Sequence, residues 1–131
     1  MLLPRLRVLS LALLAGCSAP FEPGGRVCTL ELRSTIVVEV TDAKTGAPAP
    51  VGSTVIVRGA TFYDSVFVTA PLHTPSTAYR AWENQTKVGR YTVEVRKPGY
   101  LGWIKSDVDV RGDECHNGPG PLVQVALQPR T

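Results

Sequence analysis

The sequence predicts an all-β domain, an antiparallel sandwich of about seven short strands, and three observations carry that expectation. Apolar and polar residues alternate with period two in several short runs. Turns rich in proline and glycine separate these runs at regular intervals, as in an all-β sandwich. After the first residues, no stretch shows the apolar periodicity of an amphipathic helix. A chain of 131 residues, 44% hydrophobic and 19% charged, holds one small domain's worth of core and is not composed like a disordered polymer.

The first strand is read at 36–42, IVVEVTD, where Ile36, Val38 and Val40 face one way and Val37, Glu39 and Thr41 the other. The turn-rich segment 43–50, AKTGAPAP, leads to a second strand at 54–58, TVIVR, and SVFVT at 65–69 makes a third. Two prolines break the pattern into a loop at 70–76, and a weaker strand over 79–83 precedes a polar turn at 84–89. Tyr91, Val93 and Val95 alternate with Thr92, Glu94 and Arg96, the signature of a half-buried antiparallel strand. Lys97-Pro98-Gly99-Tyr100 then places proline and glycine where a type II turn favours them. Ile104, Val108 and Val110 fall on one face of the next strand against Lys105, Asp107 and Asp109, and Val123, Val125 and Leu127 repeat the scheme at the end.

Ahead of this domain, Arg5 and Arg7 precede the apolar run VLSLALLAG, too short to cross a bilayer as a helix but the right size for an export signal. The run ends in Leu14-Ala15-Gly16-Cys17, which resembles the lipobox of bacterial lipoproteins. That resemblance implies cleavage before Cys17 and acylation of its thiol, so the chain would meet the membrane through lipid on Cys17. Several acyl chains make a lasting anchor, because each buried methylene contributes about 0.8 kcal/mol. Ser18 stands where the family's inner-membrane retention signal has aspartate, which implies the outer membrane of a two-membrane cell, with the domain facing the periplasm or the surface. The expected organisation is a lipoprotein signal peptide over 1–16, a Pro/Gly-rich flexible tether over 17–27, and one sandwich domain over 28–131.

Removing the leader takes Arg5 and Arg7 from the 14 lysines and arginines, leaving 12 against 11 acids and a balance of +1. No basic stripe remains, so a nucleic-acid partner is not expected. With Cys17 assigned to lipid, Cys28 and Cys115 form an even pair in an exported chain, which usually means a disulfide. The rival is a metal site, in which Cys28 joins Asp113, Glu114, Cys115 and His116. Adjacent residues on an extended chain point to opposite faces, and the spacing of structural zinc ligands is missing. Neither a metal nor another cofactor is expected.

One family fits the arrangement. Asp42 with Thr45-Gly46, Gly89 with Tyr91, the Pro98-Gly99-Tyr100 turn and the closing alternating strand resemble the carboxypeptidase regulatory-like domain. The resemblance covers 35–129 and implies a transthyretin-like sandwich, an architecture it shares with immunoglobulin-like domains. The segment 59–84 departs from the family's compact pattern as a longer insert. Peptidases carrying such a domain have a separate zinc domain with an H-x-x-E segment. Here His73 is followed by Thr74-Pro75-Ser76 and His116 by Asn117-Gly118-Pro119, and neither matches. His73 is read as a solvated loop residue and His116 as a surface residue. Ser53, Ser65, Ser76 and Ser106 lack a nucleophile-elbow context.

The expected role is therefore a non-catalytic binding or interaction module for an envelope protein or a glycan. Tyr100 and Trp103 beside the turn either cap the sandwich edge or form a stacking platform, and Tyr63, Tyr79 and Trp82 of the insert pose the same choice. Partner contact is expected from the insert together with Trp103, because binding residues concentrate on loops of a rigid scaffold. Two other classes stay open. One is a purely structural domain that docks by strand edges. The other is a transthyretin-like hydrolase, which needs a His/Arg/Ser pocket.

Overall fold

A computed structural model describes residues 27–131. The signal peptide, Cys17 and all but the last residue of the tether lie outside the described residues. Seven strands follow in order: β1 Ser34–Asp42, β2 Thr54–Arg58, β3 Tyr63–Phe67, β4 Thr77–Trp82, β5 Gly89–Arg96, β6 Trp103–Val110 and β7 Leu122–Leu127. They form a three-stranded sheet, β4-β1-β7, and a four-stranded sheet, β3-β2-β5-β6, which together make a β-sandwich. Ile36, Val38 and Val40 of β1, Val93 and Val95 of β5, and Val123, Val125 and Leu127 of β7 are buried, as the alternation predicts. Burying each such side chain contributes about 1.5–3 kcal/mol.

The pairing is antiparallel except where β7 runs parallel to β1. The chain path explains the exception. β6 leaves the four-stranded sheet near the start of β1, the connection over 111–121 stays at that end, and β7 therefore sets out in the direction of β1. Cys28 and Cys115 are joined at the same end, across 87 residues of sequence. The bond ties the segment ahead of β1 to the β6–β7 connection rather than strand to strand, because β4 and β7 already occupy both sides of β1. We refer to this as the clasp end, and to the opposite end, which holds the Pro98-Gly99 turn, as the cleft end.

Two expectations need correction. Two steps along β5, from Tyr91 to Val93, face three along β6, from Val108 to Lys105, and Asp107 takes a φ of 58°. This β-bulge reverses the alternation. Val108 and Val110 point inward, Trp103 packs half-buried against the core, and Ile104, expected inside, is 63% exposed. The third strand is Tyr63–Phe67 rather than 65–69, with Val68 buried just beyond it.

Tyr91 shows why the GRYTVEV segment is structural. Its ring is 5% exposed, and its hydroxyl donates to the Lys87 carbonyl (2.7 Å) and accepts from the Lys87 N–H (3.0 Å). An added Cβ at Gly59 would collide with that ring. The Pro98-Gly99 turn closes with the Tyr100 N–H on the Lys97 carbonyl (3.1 Å) and Gly99 at φ 82°, the geometry of a type II turn.

Candidate functional site

The turn after β5 and the first residues of β6 form one side of a cleft of about 610 Å³ at the cleft end of the four-stranded sheet. Asp42 organises its edge. The Asp42 carboxylate accepts from the N–H groups of Lys44 (2.8 Å) and Thr45 (2.9 Å), and the Tyr100 hydroxyl donates to its other oxygen (2.7 Å). The Tyr100 bond, followed by the Thr45 N–H, holds the Asp42 carboxyl below its usual range and raises the phenol of Tyr100. Lys97 donates to the Ala49 carbonyl (2.8 Å), and its ammonium sits 5.3 Å from the Tyr100 ring centre. Arg130 donates to the Tyr100 carbonyl (3.1 Å).

Trp103, Phe67 and Ile104 supply the apolar lining, and Arg96 with Glu94 the polar part. Phe67 is 62% exposed. Glu94 takes charge-assisted hydrogen bonds from Arg96 and from Arg58 (3.0 Å), which outweigh its desolvation and hold its carboxyl low. Arg96, Lys97 and Arg130 thus face a single carboxylate among the lining residues. Rings beside cations can stack on a flat ligand while the cations donate to its oxygens.

The five aromatic candidates do not converge. Tyr100 and Trp103 line the cleft. Tyr63 is 66% exposed on the neighbouring edge strand, 5.9 Å from the Arg58 guanidinium, but does not line the cleft. Tyr79 is 3% exposed in the core, and its hydroxyl donates to Asp64 (2.9 Å); burial first, then that bond, raises its phenol strongly. It therefore has no ring face to offer a partner. Trp82 lies at the clasp end, where Arg80 stacks 5.4 Å from its ring. From the insert, Phe67 alone reaches the cleft, and the bulged β5–β6 hairpin supplies most of the lining. Sequence reasoning missed Ile104, Arg96, Lys97 and Arg130 as cleft residues. The outward phase of Arg96 was readable from its alternation with Val95, whereas Ile104 was hidden by the bulge.

A second cluster sits at the clasp end and corrects the reading of His116 as a surface residue. His116 is 8% exposed. Its Nδ1 lies 3.1 Å from both oxygens of Glu83, and its Nε2 lies 3.0 Å from the Thr29 hydroxyl. Glu83 also accepts from the N–H groups of Arg33 (3.1 Å) and Asn117 (3.1 Å). Burial pushes the Glu83 carboxyl up, but the bonds from Arg33, His116 and Asn117 outweigh it and leave it below the ordinary value. An ionised Glu83 only accepts, so a neutral His116 carries its proton on Nδ1 and Nε2 accepts from Thr29. Asp113 caps the same loop, accepting from the N–H groups of His116 (2.9 Å) and Cys115 (2.8 Å). Thr35 and Thr86 share a buried hydroxyl–hydroxyl bond nearby. No sequence motif announced this cluster, because its members come from three separated segments, 29–35, 83–86 and 113–117.

Among the described residues, no three His, Cys, Asp or Glu side chains lie together as metal ligands. The disulfide also removes Cys28 and Cys115 as thiolates. Among the described residues no helix is long and apolar enough to cross a membrane. Compared with known proteins, the chain matches no family model and no curated sequence.

Proposed function

We propose that this chain is a membrane-tethered, non-catalytic β-sandwich lipoprotein of the bacterial envelope, with a domain of the carboxypeptidase regulatory-like kind that binds an envelope protein or a glycan. The observation that carries the binding role is the cleft at the β5–β6 turn, where Trp103, Tyr100 and Phe67 stand beside Arg96, Lys97 and Arg130. The tether rests on Arg5, Arg7 and the Leu14–Cys17 segment of the sequence. The family reading is supported by the turns at Asp42 and Pro98-Gly99, which form where the resemblance places them.

A glycan array and an envelope pull-down, each run with the native chain and with Trp103→Ala, test the cleft. Loss of the bound species with Trp103→Ala, at unchanged circular dichroism, is the expected result. Undiminished binding by a Trp103→Ala, Phe67→Ala double variant would sink the assignment. Cys17→Ser should abolish partitioning into the detergent phase, and unchanged partitioning would defeat the lipoprotein reading.

One observation favours a second reading. The order Glu83 carboxylate, His116 imidazole, Thr29 hydroxyl is that of an acyl-transfer relay. Release of nitrophenolate from a chromogenic acetate ester that disappears with Thr29→Val and with His116→Gln would favour a hydrolase over a binding module. Equal release by the native chain and both variants excludes it.

A further inference from the structure

The exposed apolar side chains include a group at the clasp end that has no part in the cleft. Val27, Leu30, Leu32 and Trp82 are 92%, 102%, 52% and 37% exposed. Leu32 and Trp82 line one surface depression with Arg33, Arg80 and Pro119, and a second, mostly apolar one with Asn84 and Gln85. Register extends the patch. Arg80, Val37 and Leu122 stand in a row across the outer face of the three-stranded sheet, and Leu122 is 52% exposed. A contiguous apolar patch with a polar rim marks a contact surface rather than chance exposure.

We propose that this clasp-end patch lies on the lipid bilayer to which the chain is tethered. The proposal rests on the reading of Cys17 as the acylated residue, and it adds a contact made by the folded domain itself. Chain length is the first argument. Val27 follows Cys17 by ten residues, which even fully extended reach about 35 Å, so this end of the sandwich cannot be held far from the anchoring membrane.

Chemistry is the second argument. Tryptophan favours the headgroup level of a bilayer, and Trp82 lines both depressions beside Leu32. Arg80 packs its guanidinium over that ring and Arg33 lines the same depression, two long cations that can keep their stems on apolar surface while their heads meet lipid phosphates. Glu31 also lines it, and Asp113 and Glu114 flank Leu30 and Val27, so the contact rests on the apolar side chains and the two arginines and not on net charge. The nearby Glu83 carboxylate is turned inward to His116, Arg33 N–H and Asn117 N–H, so its acceptor oxygens are already occupied. With this end on the bilayer, the cleft at the opposite end points away from it.

Tryptophan quenching separates the possibilities, because the chain has two tryptophans. The lipidated mature chain carrying Trp103→Phe keeps Trp82 as sole reporter, and Trp82→Phe keeps Trp103. Each is reconstituted in vesicles of phosphatidylethanolamine and phosphatidylglycerol, with and without bromine on the upper acyl carbons. Interfacial elements bury about 5–10 Å into the boundary between headgroups and acyl chains, so Trp82 emission should fall by about half or more in brominated vesicles. Trp103 emission should stay unchanged, and Leu30→Ser with Leu32→Ser should remove the Trp82 quenching while the protein still floats with the vesicles. Equal Trp82 emission from a protein that floats overturns the proposal, leaves lipidation standing and frees the patch for a protein partner. A chain that does not float overturns the lipoprotein reading and the proposal with it.

Discussion

The two ends of the sandwich solve opposite problems. At the clasp end the polar groups are spent on one another: Glu83 takes its donors from Arg33, His116 and Asn117, and His116 turns its second nitrogen to Thr29. At the cleft end, Asp42 and Glu94 likewise fix Tyr100 and Arg96, but rings and cations still line an open space. A region whose donors and acceptors are mutually satisfied has little left to offer a polar ligand. Outside that network it shows Leu30, Leu32 and Trp82 among charged side chains, which suits a bilayer interface. The cleft end presents stacking faces beside charge, which suits a polar partner. Binding character thus follows from what local hydrogen bonding leaves over.

The largest expected effect comes from opening the clasp. Replacing Cys28 and Cys115 by serine frees a loop of 87 residues, which in the chain-entropy account costs about 4.5 kcal/mol. Urea unfolding of the double variant should show a loss of that order. If the ends are independent, partner binding under folding conditions should be unchanged. A coupled loss of binding would break the comparison and make the clasp part of the site.

Acid should loosen both ends next, since Asp42 and Glu94 at the cleft are also held low, and amide exchange separates the two by which N–H groups respond. Glu83 and Asp113 at the clasp have carboxyl groups below their ordinary values, so each contributes stability above the unfolded pKa and loses it as pH falls through the folded one. Amide hydrogen exchange read downward from about pH 5 should therefore show the Arg33, Cys115, His116 and Asn117 N–H groups losing protection as these carboxylates protonate. Glu83→Gln should weaken protection of Arg33 and Asn117 already at neutral pH and flatten their acid dependence. Persistence of the native acid profile in Glu83→Gln would show that another group governs it.

Much of the sandwich was legible because alternation is a local signal. Ile36, Val38, Val40, Tyr91, Val93 and Val95 could be placed inside from neighbours alone, and Gly99 could be placed in a turn from Pro98 beside it. Ile104 was misread because one residue, Asp107, enters the left-handed region and shifts the phase of everything before it in β6. Aspartate tolerates that conformation, but its presence does not require it. The clasp cluster was illegible for a different reason. His116 meets Glu83 and Thr29 across 33 and 87 residues, so its burial is decided by topology and not by neighbours. The cleft lay between: Tyr100 and Trp103 were visible as aromatics beside a turn and Arg96 by its outward phase, while Arg130 depended on how the residues following the last strand return to Gly99.

The smallest expected effect concerns the bond that shapes the cleft's edge. Tyr100→Phe removes the hydroxyl that donates to Asp42 and leaves that carboxylate with the Lys44 and Thr45 N–H groups and with access to water. A single hydrogen bond between groups open to water contributes little, and the remaining donors to Asp42 keep the loss small. The ring itself stays, packed beside Lys97 and the core. Thermal unfolding should thus shift by only a few degrees. Partner binding tells more. If the cleft works through a stacking face on Tyr100, Tyr100→Phe should bind almost as well as the native chain, whereas Tyr100→Ala, assayed well below its unfolding temperature, should bind weakly. If both variants lose binding equally, the Asp42 bond positions the edge of the cleft, and the contrast between a self-satisfied clasp and an open cleft must be redrawn around that carboxylate.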